Sequence, residues 1–459
     1  MTETFSVHGQ QVVVVGAARS GVAAAQLLAR RGARVTLSDL REEIAEGPEL
    51  EAAGIALELG GHTQATFGSA DLIVLSPGVP PTQPLIAAAR RAGVPVMGEL
   101  ELASRWIAGR VVAITGTKGK STTTTLTGRM LEAGGHRVLV GGNIGLALSA
   151  QVDDSTGDTI HVVETSSFQL EATDTFHPWI AVLINFSPDH LDRHASVEEY
   201  AAAKARIFAN QTASDWAVLN ADDQPSLKLA AAGPAQRLLF SMQDTLPEGI
   251  VIEGNTIARR TPAGDQPLVP LASVRLLGRH LIADVMAAAA VAAIVGVAPD
   301  AITRAVEGFT GLEHALEPVV VIGGVQFVND SKATNIEAAR RSIESFERGV
   351  VAIIGGRFKG GDFVELAGPL SARGATVVAI GESRDLIERA LHAHVPVQKA
   401  EDMRSAVRQA FAAAPPGGTV VLAPACASFD MFRDYAERGR VFKQEARRLE
   451  MEWNGTPEQ

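Results

Sequence analysis

The sequence predicts a three-domain α/β protein: a Rossmann-like N-terminal domain, a central P-loop-type ATPase domain with a mostly parallel sheet, and a Rossmann-like C-terminal domain. Three observations carry that expectation. The chain has 459 residues, too many for one ordinary core, and about 150 residues per domain gives three. Each third holds an apolar, β-branched run that ends in glycine ahead of helical sequence, at 11–16, 111–116 and 350–355. The middle run continues into Gly116-Thr117-Lys118-Gly119-Lys120-Ser121-Thr122, a loop built to hold phosphate. The boundaries are expected near Gly98 and Thr310, giving domains 1–98, 99–310 and 311–459.

Composition narrows the class. Hydrophobic residues make up 46% and charged residues 20%, a globular balance. The net charge of −11 argues against a nucleic-acid partner, whose phosphates it would repel. A single cysteine, Cys426, allows no intrachain disulfide and suits a reducing compartment. Residues 1–10 lack the basic and apolar regions of a signal peptide. The Ala-rich run 285–298 is shorter than the roughly twenty residues a membrane span needs, so it is expected as a buried helix. These features predict a cytoplasmic protein without membrane insertion.

The first third opens with a strand at 11–15 and the turn Gly16-Ala17-Ala18-Arg19-Ser20-Gly21, similar to the dinucleotide fingerprint with Ala18 at the second glycine. A second strand ends at Asp39, where a ribose-binding acid would sit. A generic βαβ turn and a cofactor site fit this stretch equally. A later strand, 71–75, ends in Ser76-Pro77-Gly78.

In the central third, strand, glycine loop and helix start present backbone N–H groups and a positive dipole end to an anion. The pattern is G-x-x-G-K-[ST], because the first glycine of the full eight-residue motif falls on Ile114. Lys120 is placed to reach β- and γ-phosphates, and Ser121 to offer its hydroxyl to Mg²⁺. Another glycine loop, Gly141-Gly142-Asn143-Ile144-Gly145, ends the next strand. The run 160–163 delivers Glu164 to a strand end beside Thr165-Ser166-Ser167-Phe168-Gln169-Leu170, as a Mg²⁺ ligand or a surface glutamate. The strand 181–185 leads to Asp189-His190-Leu191-Asp192-Arg193, where His190 is equally a metal ligand or a loop histidine. Lys204, on the Ala-rich helix 197–208, is expected from pattern alone to snorkel to solvent. Residues 215–275 read as a strand-rich remainder, and 283–296 as a core helix.

In the last third, a strand runs into Asn329-Asp330-Ser331-Lys332-Ala333-Thr334-Asn335, an acid and a lysine in one polar loop. The strand 350–354 runs into the basic glycine loop 355–361, and further strands are expected at 377–380 and 419–423. No short-period repeat is evident.

Taken together, these motifs resemble the Mur ligases of peptidoglycan synthesis, over essentially the full length, and within them the glutamate-adding branch. The resemblance rests on 116–122, Gly142-Asn143-Ile144-Gly145, 164–170, 189–193, Ser331-Lys332-Ala333-Thr334-Asn335 and Pro424-Ala425-Cys426-Ala427-Ser428-Phe429-Asp430. It implies ATP-dependent amide synthesis through an acyl phosphate, joining D-glutamate to UDP-N-acetylmuramoyl-L-alanine. Gly116, Thr117, Lys118, Gly119, Lys120, Ser121 and Thr122, with Asp330 and Lys332, would then meet ATP. Ser121 and Glu164 would hold one Mg²⁺ and His190 a second. Lys204, following Tyr200-Ala201-Ala202-Ala203, would carry a carbamate that serves as an anionic metal ligand. Ala18, Arg19, Ser20, Asp39, Arg41 and Gly78 match the uridine and diphosphate region, and Asn143 and Ser166 the rest of that substrate. Thr334, Lys359, Ser428, Phe429 and Tyr435 match the glutamate pocket. The family also implies a monomer whose domains close in each turnover.

The chain departs from the family around ATP. Lys118 stands where Asn is usual, Leu281 and Asp284 replace amides that help with adenine, and Ala315 replaces an arginine. Phe358 replaces a common Asp. The rival readings are a nucleotide-dependent oxidoreductase, a weakened or non-catalytic homologue, and a ligase adding another amino acid such as L-glutamate.

Overall fold

The computed structural model describes residues 5–190, 193–231, 233–243, 246–276 and 281–454; Leu191, Asp192, Gly278, Arg279 and His280 lie outside it. The chain divides into two compact units, Met1–Val274 with Ile282–Gly308, and Arg275–Leu281 with Phe309–Gln459. The first unit carries two sheets and the second one, which realises the α/β class expected.

The N-terminal sheet comprises β1 (Gln11–Val15), β2 (Arg34–Asp39), β3 (Ala56–Leu59), β4 (Leu72–Leu75) and β5 (Val96–Gly98). Its order is β3-β2-β1-β4-β5 and every pairing is parallel. A central parallel strand is covered on both faces, and Val12 to Val15 are accordingly all buried.

The second sheet runs β14-β13-β12-β11-β10-β9-β6-β8-β7. Its parallel part is β6 (Arg110–Thr115), β7 (Arg137–Gly142), β8 (Thr159–Glu164), β9 (Ile180–Leu183), β10 (Trp216–Asn220), β11 (Gln236–Ser241) and β12 (Gly249–Glu253). β13 (Thr256–Thr261) and β14 (Gly264–Pro270) add an antiparallel hairpin. The strand-rich stretch 215–275 thus extends this sheet. β6 lies between β8 and β9, so the crevice beyond its carboxyl end is a switch point where α/β folds take ligands.

The third sheet contains β15 (Glu317–Ile322), β16 (Val325–Asn329), β17 (Val350–Gly355), β18 (Thr376–Ile380), β19 (Val397–Lys399) and β20 (Thr419–Leu422). The order is β15-β16-β20-β17-β18-β19, and only β15 is antiparallel to its neighbour. The Ala-rich run forms the helix Leu281–Val295, buried continuously from Asp284 to Ala293. Among the described residues, no helix is long and apolar enough to cross a membrane.

Candidate active site

The first unit builds its site on the carboxyl end of β6. After Thr115 the chain turns through Gly116 to Gly119, and the helix Lys120–Ala133 begins. Gly119 caps that helix in the left-handed region at φ 81°, and a Cβ there would come 2.1 Å from Asp284 Oδ1. Only glycine meets both demands. The loop is held by a residue that sequence pattern marks only as a strand end. Asn185 Oδ1 accepts from the backbone N–H groups of Thr117 (3.1 Å) and Lys118 (2.9 Å), and its Nδ2 donates to the Lys118 carbonyl (3.1 Å). A polar residue directly after a buried strand was the available signal. Tyr200 adds its hydroxyl, 3.2 Å from Thr117 Oγ1.

Two of the three lysines assigned to this site reach the loop carbonyl of Gly116. Lys120 Nζ donates to the carbonyls of Gly116 (3.1 Å) and Thr117 (3.0 Å). Lys204 overturns the snorkelling expectation: it is 1% exposed, with Nζ 2.8 Å from the Gly116 carbonyl and 4.7 Å over the Tyr200 ring. Its helix, Val197–Ala205, packs against the helices Ser167–Leu170 and Gln224–Leu229, and the aromatic and backbone partners of the side chain outweigh the pull of solvent. Burial, reinforced by the nearby Lys120, pushes its amine down to about 6. Lys118 faces Asp189 at 4.0 Å.

Register places Glu164, at the end of β8, beside Ile114 of β6. Asn143 Nδ2 donates to Glu164 Oε1 at 2.7 Å, which brings together two residues drawn from separate glycine and acid motifs. Glu164 is 1% exposed, and its Oε2 has no hydrogen-bond partner. A buried carboxylate oxygen without a partner suits a hard cation such as Mg²⁺. Among the described residues no group of three or more His, Cys, Asp or Glu side chains forms a metal cage. Ser166 caps a short helix, with Gln169 completing a capping box. His190 is exposed, sits at φ 55° and meets the Phe168 ring edge-on at 5.2 Å.

At the N-terminal sheet, Asp39 accepts from the Ala17 and Arg41 amides and pairs with Arg41 Nε at 3.0 Å. Burial raises the Asp39 carboxyl, but the hydrogen bonds from Arg41 and Ala17 outweigh it and hold the group at about 2. The acid therefore fixes the Gly16–Ala18 turn at a strand edge. Gly21 permits the turn, since a Cβ would lie 1.8 Å from the Gly16 carbonyl. Arg19 and Ser20 open the helix Arg19–Arg30, and Arg19 Nη1 reaches the Gly145 carbonyl at 3.1 Å. Gly78 lies in the turn after β4, against Arg193.

In the second unit the ends of β16, β17 and β20 lie side by side. Asp330 follows β16, and burial lifts its carboxyl to about 6 against the Ser342 hydroxyl and the Leu316 amide. The Lys332 amide donates to the His314 carbonyl at 3.0 Å. Lys359 Nζ lies 3.4 Å from Thr334 Oγ1, joining two of the expected glutamate residues. Ser428 is buried, whereas Phe429 and Tyr435 stand exposed. The Tyr435 carbonyl accepts from Ser331 Oγ at 2.7 Å. Arg438, which the sequence motifs do not include, is 2% exposed and donates to Ser331 Oγ (3.0 Å), the Ser331 carbonyl (2.9 Å) and the Cys426 carbonyl (3.1 Å). It ties the loops after β16 and β20 together. Nothing in its charged helix distinguishes it from neighbouring surface arginines.

Profiles of three Mur ligase domains match the chain in order. The MurD-like N-terminal domain covers residues 10–98, the middle domain 114–292, and the glutamate ligase domain 314–426. The UDP-N-acetylmuramoylalanine–D-glutamate ligase of Acidobacterium capsulatum is 47% identical over 96% of both chains. That of Koribacter versatilis is 45% identical over 97% of this chain and 99% of its own. Among solved structures, the UDP-N-acetylmuramate–alanine ligase of Thermotoga maritima shares the fold at TM-score 0.59 and 19% identity, over 96% of this chain and all of its own. A pseudomurein peptide ligase of Methanothermus fervidus does so at TM-score 0.57 and 17% identity, over the same shares.

Proposed function

The chain belongs to the Mur ligase family, and from that premise we propose that it joins D-glutamate to UDP-N-acetylmuramoyl-L-alanine in peptidoglycan precursor synthesis, driven by ATP. The observation that carries this reading is the phosphate loop with two lysine Nζ atoms on its Gly116 carbonyl and the orphaned Glu164 oxygen nearby in register.

In this reaction an alanyl carboxylate oxygen attacks the γ-phosphorus of ATP, and ADP leaves. The glutamate amine then attacks the acyl carbon, loses a proton, and phosphate departs as the amide forms. Anion meets anion in the first step, so catalysis is mostly electrostatic clamping and positioning. Lys120 and the loop N–H groups of 116–122 hold the phosphates, and Asn185 keeps those N–H groups aimed. Ser121 and Glu164 hold Mg²⁺, with His190 and a modified Lys204 at a second ion; bound there, the metal offsets phosphate charge.

Lys204 suits carbamylation because CO₂ reacts only with a neutral amine, and burial supplies one near pH 7. The nitrogen bonds the CO₂ carbon and releases one proton, and a carboxylate anion replaces the neutral amine. Ala18, Arg19, Ser20, Asp39, Arg41 and Gly78 take the UDP moiety, and Asn143 and Ser166 the muramoyl-alanine end. Asp330 and Lys332 serve ATP. Thr334, Lys359, Ser428, Phe429 and Tyr435 receive glutamate, with Lys359 on a carboxylate. The division into domains 1–98, 99–310 and 311–459, a monomeric state and a cytoplasmic location belong to the same proposal.

Phosphate release with ATP, Mg²⁺ and UDP-N-acetylmuramoyl-L-alanine, given D- or L-glutamate separately, tests it. Release with D-glutamate alone is expected. Release with L-glutamate alone moves the enzyme to another acceptor. No release with either amino acid ends the ligase reading.

A further inference from the structure

One residue of the histidine loop makes contacts that the ligation chemistry leaves unused. Arg193 Nη1 donates to the Gly78 carbonyl at 3.3 Å, and Nη2 donates to the Val79 carbonyl at 3.2 Å and to Glu171 Oε1 at 3.0 Å. Its guanidinium lies 4.9 Å over the face of Phe168. The same ring takes His190 edge-on at 5.2 Å and His194 stacked at 5.3 Å. Phe168 belongs to the short helix whose start is fixed by the Ser166–Gln169 capping box, and its ring is the platform these three residues share. Its partners include a residue in a conformation few side chains adopt, His190 at φ 55°, which persists only where surroundings impose it. His194 is pinned in turn, 2.9 Å from Ser167 Oγ. The turn 76–79 meets this anchor as well: Ser76, Pro77 and Val79 line one small cavity with Phe168, Gln169 and Glu171.

We propose that Arg193 is a positioning residue that couples the turn 76–79 to the loop bearing His190, so that seating the UDP substrate and placing His190 are one event. The identity of the ligands rests on the proposed ligase function; the coupling itself rests on the contacts. A planar fork can grip two carbonyls and a carboxylate while its face lies on an aromatic ring. A lysine ammonium offers the charge without the fork. An arginine that only braced the fold would add stability and leave no link between the two ligands.

The test uses the full chain as wild type, Arg193→Lys and Arg193→Met. Affinity for UDP-N-acetylmuramoyl-L-alanine is measured without and with saturating Mg²⁺, in the presence of a non-hydrolysable ATP analogue. Mg²⁺ is expected to tighten wild-type binding about fivefold or more, and to leave Arg193→Met nearly unchanged, with Arg193→Lys intermediate. Equal coupling in all three proteins overturns the proposal. Hydrogen exchange of the ligand-free proteins supplies the second measurement. Segments 76–79 and 187–190 are expected to lose protection together in Arg193→Met, and loss in only one of them, or in neither, also overturns the coupling. If the UDP substrate fails to bind wild type, the functional reading falls and hydrogen exchange still decides the coupling. If Arg193→Met does not fold, Arg193→Lys carries both measurements.

Discussion

The Nζ atoms of Lys120 and Lys204 share one acceptor, the carbonyl oxygen of Gly116, at 3.1 and 2.8 Å. Two ammonium groups on one carbonyl repel, and burial falls harder on Lys204, which is held at about 6. At neutral pH the pair therefore divides its work. The amine of Lys204 is largely uncharged, which under the proposed function leaves it open to CO₂ while Lys120, at the helix start, serves the phosphates.

Replacing Lys204 by alanine removes the nitrogen that carries the carbamate. Ligation is expected to fall by about 10²-fold or more, as when one preorganised electrostatic group is lost. Added formate or acetate should restore part of it by supplying the missing carboxylate. Steady-state rates with and without these anions check this; a variant with full native activity and no response removes the carbamate from the mechanism.

Lys120→Ala should abolish ligation and leave the UDP substrate bound, because the phosphate contacts and the N-terminal sheet are built from separate residues. The loss expected is at least about 10²-fold in kcat. Calorimetry with the UDP substrate and phosphate release together check the split. Ligation surviving this change would mean that the loop 116–122 is not the ATP site.

Asn185→Ala should loosen the same loop without touching a ligand directly. Its side chain holds the Thr117 and Lys118 amides and the Lys118 carbonyl, so the N–H groups that meet phosphate lose their aim. KM for ATP is expected to rise about tenfold, the order of one lost hydrogen-bonded positioning group, with KM for the UDP substrate unchanged. Kinetics with each substrate varied in turn separate the two.

Much of this site could be read from sequence because strand ends are where parallel sheets collect ligands. The buried runs 111–115 and 160–163 announced their strands, and the residues at their carboxyl ends, Gly116–Thr122 and Glu164, sit at the β6 crevice. Lys204 was misread from pattern because its helix is rich in alanine and shows no polar stripe; the partner that buries it, Gly116, lies 88 residues away. Arg438 and the Asn185 clamp were missed for the related reason that their partners come from other strands, and a side chain that binds backbone carbonyls or amides leaves no complementary residue type to find.

Asp284 tests what a buried carboxyl beside the glycine loop costs the fold. It is 3% exposed on the helix Leu281–Val295, its Oδ1 lies against Gly119, and its Oδ2 has no hydrogen-bond partner. Burial pushes the carboxyl well above 3.8, against a smaller opposing effect of the Thr123 hydroxyl. The folded protein therefore keeps a proton that the unfolded chain releases, so between 3.8 and the folded value stability falls as pH rises. Asp284→Asn keeps the shape and has no proton to lose. Its melting temperature relative to wild type should climb steadily from about pH 4 upward until the folded carboxyl ionises, and level off beyond. Thermal melts of both proteins across that range check the slope. A difference that is constant with pH would show that Asp284 ionises no less easily in the fold than in the open chain, and that its buried oxygen is solvated in a way these contacts do not provide.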